Sequence, residues 1–437
     1  EKVESNIRGS HILLDCTGTF DLDGQWMLEL MEKAVAKSGA RMVHSHVEVF
    51  DGSISPLGFA AVTLLDESHV TAHCYSEKGM LAIDAFTCGS TDPGLIIDVI
   101  ENELKNTMPN LQISQRRRHP RFLKDRVGGE IKQFVDEHFH HFNAGALKDT
   151  ADSLHEFLAK DGKLMITLAG AMSTAELGRS LAPLIKSGKV HAITCTGANL
   201  EEDIFNLVAR DSYHRVKNWR SLSLSDEQEL HNRGLNRVTD TCIPEEEAIR
   251  RIENLIIESW KKSRAFPHQH LMSILDKLEY DIPAENSWLL AAKNANIPVY
   301  VPGWEDSTLG NIFASHCMSG ECEASAVKSG VDYMIHLAEW YQSQKTPVGL
   351  LQIGGGIAGD FPICVVPMLR QDLKKEVDLW GWFGQISESS ASYGGYSGAN
   401  PSEKITWGKL SPETPMHIIE SDATIVAPIL FTYLLEC

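Results

Sequence analysis

Short apolar segments that alternate with helix-length amphipathic segments occupy the chain from about residue 160 onward, and they constrain the fold most strongly. KLMITLAG, VHAITCTG and PVGLLQIGGG are three of these apolar segments, and each precedes a stretch whose apolar residues have helical spacing. Strands connected by crossover helices pair in parallel, and strands buried on both faces are apolar throughout. This part of the chain is therefore predicted to form a mostly parallel α/β sheet.

The first 117 residues follow a different pattern, in which strand-like segments succeed one another with only turn residues between them. ARMVHSHVEVF, FAAVTLLDE, HVTAHCY and MLAIDAF are spaced in this way, and strands joined by short turns pair antiparallel. Residues 23–37 and DPGLIIDVIENELKN have the periodicity of amphipathic helices. We predict a two-layer α/β sandwich over residues 1–117 and a second domain over residues 118–437, with SQRRRHPR as a solvated linker at the junction.

The composition limits the possible partners. The 437 residues carry a formal net charge of −19, which argues against nucleic acid or an anionic membrane as the main partner and suits cationic substrates. No apolar run reaches the roughly 18 residues of a membrane span. The first residues, EKVESNIRGS, do not have the pattern of a signal peptide, and the nine Cys lack paired close spacing. We expect a cytoplasmic protein that binds small molecules, without nucleic-acid or membrane partners.

Two groups of potential metal ligands are interpreted as structural. His138, His140 and His141 lack the i, i+4 spacing of metal ligands on a helix. The histidine and cysteines of HCMSGEC, residues 316–322, have no second pair of ligands near them in the sequence. We therefore predict no metal site.

The segment DESHVTAH, residues 66–73, contains the residues that a self-cleaving chain requires. The Ser68 hydroxyl can attack the carbonyl of Glu67 and convert the amide to an ester. Removal of the serine α-proton then breaks the ester, and hydrolysis leaves a pyruvoyl group, a ketone that acts as an electron sink in decarboxylation. If the strands pair as predicted, His73 is placed to act as the base and Cys88 as the acid that protonates the product carbon.

Residues 64–89, LLDESHVTAHCYSEKGMLAIDAFTCG, resemble the processing region of prokaryotic-type S-adenosylmethionine decarboxylases, and the resemblance extends over residues 8–117. It implies that the chain is cut between Glu67 and Ser68, and that Ser68 becomes the pyruvoyl group that serves as cofactor. It also implies that His73 assists the processing and that Cys88 is the proton donor.

Three positions bear on the substrate of this domain. Phe50 matches a ring-stacking Phe of the family, whereas YSE at residues 75–77 replaces a Trp-Pro-Glu that holds the nucleoside. AA at residues 60–61 replaces a Ser-Gly pair whose hydroxyl helps processing. Two substrate classes remain open, S-adenosylmethionine or a basic amino acid such as ornithine or arginine, with Phe50, Tyr75 and Glu77 as the substrate-binding residues. An uncut domain kept for assembly or regulation is the alternative.

The second part of the chain places a lysine, carboxylates and glycine-rich turns at chemically informative positions. Lys409 follows a Trp and a Gly in a strongly apolar neighbourhood, where desolvation lowers a lysine pKa and favours the free amine that imine chemistry needs. Asp306, Asp360 and Glu403 each lie in a loop beside Gly or Pro, and clustered together they would bind a polycation. QIGGGIAGDF and TCTGANLEED are strand-to-helix turns, where a backbone can approach a phosphate and carboxylates can hold a ribose.

These segments resemble deoxyhypusine synthases and the related homospermidine synthases. The motifs LAGAMSTAELG, TGANLEED, NRVTDTCIPEEE, VPGWEDSTLG, IGGG, SGANPSEKITWGK and SDATIVAP occur in the family's order over residues 120–437. The resemblance implies a Rossmann-like domain of the deoxyhypusine-synthase type, in which NAD oxidises spermidine and the aminobutyl group moves to Lys409. It implies that Trp407 packs on the methylenes and that Asp306 and Glu403 hold amine nitrogens. The residues that would line NAD are Ser173, Thr174, Gly197, Glu202, Gly354, Gly355, Gly356 and Asp422.

Two positions of the amine pocket depart from the protein-modifying enzymes, which carry His where this chain has Asp360 and Asp where it has Tyr396. The change favours a free diamine acceptor such as putrescine over a protein lysine. The resulting hypothesis is a bifunctional enzyme of polyamine biosynthesis, in which a pyruvoyl decarboxylase is fused to an NAD-dependent aminobutyl transferase that forms homospermidine. The alternative is a deoxyhypusine synthase that modifies a translation factor. Both families self-associate, with the synthase active sites between subunits, which implies a homotetramer.

Overall fold

The computed structural model describes residues 9–66, 68–88, 91–121, 129–391 and 394–437. The chain forms two compact units, Glu1–Val127 and Gly128–Cys437. Each unit has its own hydrophobic core, built on an antiparallel sheet in the first and on a parallel sheet in the second. No helix within the described residues is long and apolar enough to cross a membrane.

The first unit is an antiparallel sheet with two helices on one face, which confirms the predicted two-layer sandwich. Its elements are β1 (Gly9–Thr17), α1 (Gly24–Ser38), β2 (Met42–Phe50), β3 (Gly58–Leu65), β4 (Ser68–Tyr75), β5 (Met80–Thr87), α2 (Pro93–Thr107) and β6 (Gln112–Arg121). The strands lie in the order β2-β3-β4-β5-β1-β6, and every neighbouring pair is antiparallel.

Alternation along the strands fixes which face of this sheet meets the helices. Leu14, Phe59 and Ile83, on three different strands, are at most 1% exposed and belong to the core beneath α1 and α2. The predicted helix over residues 23–37 is α1, which begins where the Asp23 side chain accepts a hydrogen bond of 2.8 Å from the backbone N–H of Trp26. The opposite face of the sheet is left without helices of this unit.

The segment SQRRRHPR is part of strand β6, so the prediction of a linker was wrong, whereas its predicted solvation agrees with the exposure of Ser114 and residues 116–119. β6 pairs with β1 from Gln112 to Arg121, and two of its arginines form ion pairs with acids of α2 and of the cap that precedes it. Arg116 contacts Asp98 at 2.5 Å and Glu101 at 2.8 Å, and Arg118 contacts Asp92 at 2.5 Å. The run of charges indicated a linker because the acids that pair with Arg116 and Arg118 come from a different part of the sequence.

The second unit contains a parallel sheet of six strands and a smaller antiparallel sheet of three. Its strands are β7 (Lys163–Leu168), β8 (Ala192–Cys195), β9 (His214–Arg215), β10 (Leu235–Val238), β11 (Thr241–Pro244), β12 (Val299–Tyr300), β13 (Val348–Ile353), β14 (Trp382–Ile386) and β15 (Met416–Ile419). The order β12-β8-β7-β13-β14-β15 describes the parallel sheet, and β10-β11-β9 the small one. The predicted mostly parallel α/β architecture is confirmed.

Helices connect and cover these strands. They are α3 (Glu130–His138), α4 (Phe142–Ala159), α5 (Gly178–Lys186), α6 (Gly197–Ala209), α7 (Leu224–Asn232), α8 (Arg251–Lys262), α9 (Pro267–Ile274), α10 (Trp288–Ala295), α11 (Thr308–Met318), α12 (Gly330–Ser343), α13 (Gly356–Ile363), α14 (Val365–Pro367), α15 (Glu403–Thr406) and α16 (Ala423–Glu436). The segment EIKQFVDEHFHHF, expected to form one helix face, is divided between α3 and α4, because Phe142 has a φ of 55° that no continuous helix tolerates.

The order of the parallel strands creates a crevice at the carboxyl ends of β7 and β13. From this pair, β8 and β12 extend the sheet in one direction, and β14 and β15 extend it in the other. Leu168 and Ile353 are paired at the ends of the two strands, and a Cβ atom on Gly354 would lie 2.8 Å from the Cβ of Ala169. Open α/β sheets bind ligands where the strand order reverses in this way.

We expect Leu14→Ala to destabilise the first unit by about 3 kcal/mol, because loss of buried methyl groups leaves a cavity under the two helices. Leu64→Ala is the matched control, since Leu64 is 43% exposed on the other face of the sheet, and a change below about 1 kcal/mol is expected there. Native-state hydrogen exchange of the β5 amides measures both effects. Equal losses in the two variants would contradict the assignment of the helix-covered face.

Candidate functional site

Ser68 and Cys88 are brought together at one end of the β4–β5 pair. Ser68 begins β4, Cys88 directly follows β5, and the backbone N–H of Cys88 donates to Ser68 Oγ at 3.1 Å. The pairing register, with His69 opposite Phe86, sets this proximity. Glu67, whose carbonyl the Ser68 hydroxyl would attack, lies outside the described residues. The backbone donor therefore holds the hydroxyl next to the predicted cleavage site.

His73 lies on the same strand as Ser68 but far from it. β4 pairs regularly with both neighbours from Ser68 to Tyr75, and five residues of such a strand span about 16 Å. His73 is exposed, whereas Val70 and Cys74, which have the opposite alternation, are buried under the helices. Within one chain, the structure does not bring the His73 imidazole to the Ser68 hydroxyl.

His73 instead joins an aromatic group on the helix-free face of the sheet. Its ring centroid lies 5.4 Å from that of Phe50, at the end of β2, and 5.1 Å from that of Tyr75, at the end of β4. Glu77 is exposed in the turn that follows β4. The structure thus brings the predicted ring-stacking residues together with His73 on a surface that can accept a planar or apolar group.

A pair of histidines near Ser68 was missed by the sequence analysis. His11 Nε2 lies 3.2 Å from Asp84 Oδ1, and the ring centroid of His69 lies 6.3 Å from that of His11. Burial, followed by the charge of His11, lowers the pKa of His69. The strand register, which places His11 and His69 on either side of Phe86, is the signal that identifies this pair. The pair therefore provides a neutral imidazole, that of His69, directly after Ser68.

Lys409 lies in a buried pocket just after α15. It is 7% exposed, and its Nζ donates to Asp360 Oδ1 at 3.0 Å. The preceding residue, Gly408, has a φ of 67° and so permits the turn that directs Lys409 inward. The Trp407 ring is 65% exposed, and its centroid lies 5.8 Å from Lys409 Nζ. The predicted lysine and tryptophan therefore share one site, and Asp360 is the partner of the lysine amine.

Asp360 connects Lys409 to a cleft at the surface. It lies on α13, and its side chain is 47% exposed. Beside it is a cleft of about 420 Å³ whose other lining residues are mainly apolar, namely Met334, Gly356, Ile357, Phe361, Cys364 and Tyr396. A carboxylate at the edge of an apolar cleft can bind the ammonium group of an aliphatic amine while the cleft covers its methylenes.

Tyr396 forms the wall between this cleft and the sheet. Its hydroxyl donates to Gln352 Oε1 at 2.8 Å, and burial raises its pKa. The phenol is therefore neutral, and its ring centroid lies 5.7 Å from Lys409 Nζ. Tyr396 contributes an aromatic surface, rather than a charge, to the Lys409 pocket.

The three carboxylates expected to bind a polyamine are not equivalent. Asp360 contacts Lys409, whereas Asp306 is exposed in the loop after β12 and Glu403 is exposed at the start of α15. Glu403 Oε1 accepts a hydrogen bond of 3.3 Å from the backbone N–H of Asn400. The structure places one carboxylate of the three against the lysine and leaves the other two at the surface.

Four of the predicted NAD-binding residues follow β7 and β8. Ser173 is buried, and its backbone N–H and its hydroxyl donate to the side-chain and backbone oxygens of Asn199, both at 2.8 Å. The Thr174 hydroxyl donates to Glu202, and burial raises the pKa of Glu202 to about 7. Gly197 begins α6, and Asn199 lies in the first turn of that helix. Asn199, which the sequence analysis missed, ties the two loops together.

The three glycines after β13 are required by the backbone. Gly354 and Gly356 have φ values of 78° and 55°, a region that only glycine adopts without strain. A Cβ atom on Gly355 would lie 2.0 Å from Ser397 Oγ, and the backbone N–H of Gly356 donates to the same oxygen at 3.1 Å. The glycine turn is therefore packed against the loop that carries Tyr396.

The carboxyl edge of the sheet carries the residue types that a dinucleotide site needs. A Cβ atom on Gly197 would lie 2.7 Å from the Cβ of Ser307, so this turn admits no side chain. Asp422, after β15, accepts a hydrogen bond of 2.7 Å from the backbone N–H of Thr424 and caps α16. A pyrophosphate needs close backbone approach at a helix start and a ribose needs a carboxylate; Gly197 is the first residue of α6, and the buried Glu202 lies in its second turn.

Potential metal ligands are engaged in other contacts. Within the described ranges, no group of three or more His, Cys, Asp or Glu side chains is arranged to bind a metal ion. In HCMSGEC, His316 Nδ1 lies 2.5 Å from Glu321 and its Nε2 lies 3.4 Å from Glu253, while Cys322 is buried. His316 is therefore engaged by Glu321 of the same segment and by Glu253 of α8.

Both parts of the chain are similar to known families. The family model for deoxyhypusine synthase matches residues 136–434, and the model for S-adenosylmethionine decarboxylase matches residues 10–117. A deoxyhypusine synthase-like protein of Thermosynechococcus vestitus is 28% identical over 316 residues, which are 70% of this chain and 78% of that protein. A probable deoxyhypusine synthase 1 of Archaeoglobus fulgidus is 27% identical over 299 residues, which are 68% of this chain and 90% of that protein.

Solved structures of both kinds are also similar to this chain. The adenosylmethionine decarboxylase of Aquifex aeolicus is 26% identical and covers 28% of this chain and 98% of its own, with a TM-score of 0.23. An Entamoeba histolytica protein assigned as a deoxyhypusine synthase is 12% identical and covers 71% of this chain and 95% of its own, with a TM-score of 0.42. The deoxyhypusine synthase model matches more than half of the residues of this chain, so the chain belongs to the deoxyhypusine synthase family. It carries an S-adenosylmethionine decarboxylase-type domain at its N-terminal end.

Proposed function

We propose that this protein is a bifunctional enzyme of polyamine biosynthesis. The first unit would be a self-processing decarboxylase, and the second an NAD-dependent aminobutyl transferase that forms homospermidine. The observation that carries the proposal is the buried Lys409 amine, held 3.0 Å from Asp360 beside an apolar cleft. A lysine amine shielded from water is suited to imine formation, and the half-exposed carboxylate next to it suits a cationic substrate.

Lys409 would receive the aminobutyl group. Gly197, Glu202 and residues 354–356 would hold NAD at the carboxyl edge of the sheet, where it would supply a hydride acceptor for the polyamine and a hydride donor for the product. The free amine of Lys409 attacks the carbon that has lost the hydride, and a new C–N bond forms while the bond to the departing amine breaks. The proton that leaves the Lys409 nitrogen is transferred to the departing amine. Trp407 and Tyr396 pack on the methylenes and exclude water.

The acceptor would be a free diamine such as putrescine. Asp360 can hold one ammonium group, and the apolar side chains of Ile357 and Phe361 in the same cleft can cover the methylene chain. Tyr396 adds an aromatic wall without a charge. A short diamine satisfies this arrangement because it has an ammonium group at each end and no polar group between them.

The first unit would cut the chain between Glu67 and Ser68. The backbone N–H of Cys88 orients the Ser68 hydroxyl. Cys88, which carries the thiol, would therefore lie next to the pyruvoyl group that forms from Ser68. The Tyr75 ring replaces the larger ring that a nucleoside-binding decarboxylase would offer. A basic amino acid, ornithine above all, is therefore the preferred substrate, because its decarboxylation yields the putrescine that the second unit consumes.

His73 would act on Ser68 from a second copy of the chain. Within one chain the two residues are separated by about 16 Å of regular strand. His73 is exposed on the helix-free face of the sheet, beside Phe50 and Tyr75. Contact of the His73 face of one copy with the Ser68 end of β4 in the other would bring the imidazole to the cleavage site, in agreement with the self-association that both families imply.

Denaturing mass spectrometry of the purified protein is expected to give two fragments, residues 1–67 and residues 68–437, with a pyruvoyl group at the start of the larger one. Ser68→Ala is expected to leave one intact chain because it removes the attacking hydroxyl. Ser53→Ala, in an exposed loop, is the control and should be cleaved normally. An intact wild-type chain would exclude the decarboxylase and support the uncut alternative.

Co-expression of Ser68→Ala and His73→Ala chains is expected to restore a cleavage that each variant lacks alone. The first chain supplies the imidazole and the second supplies the hydroxyl. Tags of different mass identify the cleaved chain, which should be His73→Ala. If the mixed sample stays uncleaved, His73 does not act between copies, and if His73→Ala alone is cleaved at the normal rate, His73 has no part in processing.

Incubation with ornithine and NAD is expected to yield homospermidine, measured by chromatography and mass spectrometry of the polyamines. Lys409→Arg should abolish the product because a guanidinium remains protonated and forms no imine. Asp360→Asn should lower kcat/KM for putrescine by roughly 10- to 100-fold, through loss of a charge-assisted hydrogen bond. Lys374→Arg, at an exposed position, is the control. Label transfer from spermidine to a translation factor, with poor use of putrescine, would favour the protein-modifying alternative.

A further inference from the structure

A second lysine lies beside Lys409. Lys404, on α15, is 3% exposed, and its Nζ has no hydrogen-bond partner among the residues that the structure describes. The Nζ lies 4.9 Å from the ring centroids of both Phe383 and Tyr396. Buried amines are ordinarily paired with a carboxylate, since an unpaired charge is costly to bury. A methionine of similar length would fill this space without that cost, so the amine requires an explanation other than packing.

Lys404 and Lys409 are parts of the same pocket. The Lys409 Nζ lies 5.7 Å from the centroid of the Tyr396 ring that Lys404 also contacts. The backbone N–H of Lys409 donates to the carbonyl of Lys404 at 3.0 Å, which fixes the two residues on one turn. Two amines of one pocket therefore face a neutral aromatic ring.

The charged groups around Lys404 act on its pKa in opposite directions. Burial, followed by repulsion from Lys409, lowers the pKa of Lys404 to about 8, while Glu403 and Asp360 act in the opposite direction. At neutral pH, below that value, Lys404 is mostly protonated, and the faces of the Phe383 and Tyr396 rings stabilise its charge. Coupling between two titrating groups is reciprocal, so a charged Lys404 disfavours the proton on Lys409 as much as Lys409 disfavours the proton on Lys404.

Lys409 needs this counteracting charge if it is to react. Its ion pair with Asp360 favours the protonated amine, which has no lone pair with which to attack an electrophilic carbon. A second cation held in the same apolar pocket favours the free amine, and it does so without touching the substrate.

We propose that Lys404 is a positioning residue for imine formation, a buried cation that keeps part of Lys409 in the free-amine form at neutral pH. The inference rests on the proposed imine role of Lys409. It assigns a function to a residue of the SEKITWGK segment that neither the cofactor loops nor the amine cleft uses.

Reductive alkylation with butanal and cyanoborohydride tests the proposal on the purified protein without NAD or polyamine. The free amine of Lys409 attacks the aldehyde carbon, water leaves as the imine forms, and cyanoborohydride transfers a hydride to the imine carbon. A butyl group then remains on the nitrogen. Peptide mass mapping between about pH 6 and pH 10 compares Lys409 with Lys217, an exposed lysine in the same digest. Dividing the extent of modification of Lys409 by that of Lys217 removes the pH dependence of the reagents.

Lys404→Met is expected to lower the Lys409 to Lys217 modification ratio roughly tenfold at neutral pH, where Lys404 is charged, and to leave it unchanged at about pH 10, where Lys404 has lost its proton. Lys404→Arg keeps a cation at the same place and is expected to retain the wild-type ratio at neutral pH. Lys404→Gln is the neutral variant to use if the Met variant does not fold, as judged by circular dichroism.

The outcomes separate this inference from the proposed function. An unchanged modification ratio at neutral pH in the neutral variant, or the same fall of that ratio in the neutral and Arg variants, would overturn the role of Lys404 while the imine role of Lys409 stands. Wild-type protein in which Lys409 is never alkylated, although Lys217 is, would overturn the imine role itself and this inference with it.

Discussion

The parallel pairing of β7 with β13 is the contact on which the second unit depends. Because Leu168 lies opposite Ile353, the loops that follow the two strands leave the sheet at the same level. The glycine turn after β13 then starts α13, which carries Asp360 to the amine of Lys409. A slip of one residue in β13 would turn its buried side chains to the other face, and every one of them is buried, so the register and the site are fixed together.

The first unit depends on a different constraint, the alternation of side chains along β4. The same alternation that buries Val70 and Cys74 under the helices exposes His73, and the length of the strand separates it from Ser68. The nucleophile and the residue expected to assist it therefore belong to opposite faces and opposite ends. Such an arrangement makes self-association part of the proposed chemistry, rather than only a means of increasing stability.

Predictions that rested on strong local signals were accurate. The helix over residues 23–37 formed because its apolar residues have helical spacing and Asp23 caps its start. The interpretation of SQRRRHPR as a linker failed because the acids that pair with Arg116 and Arg118 belong to α2 and its cap. For the site, the apolar setting of Lys409 indicated a buried amine. The exposed positions of Asp306 and Glu403, and the contact of Lys404 with the Lys409 pocket, had no comparable signal in the sequence.

The sequence by itself determined the two sheet types and indicated the candidate lysine and the candidate cleavage site, because periodicity and motif order act over tens of residues. Only the tertiary structure decided which of the candidate site residues are in contact with one another. Asp360 and Lys409 are 49 residues apart in the chain, and Ser68 and Cys88 are 20 apart. Contacts over such separations follow from strand register and from the packing of loops at the end of a sheet, and local preference encodes neither of these.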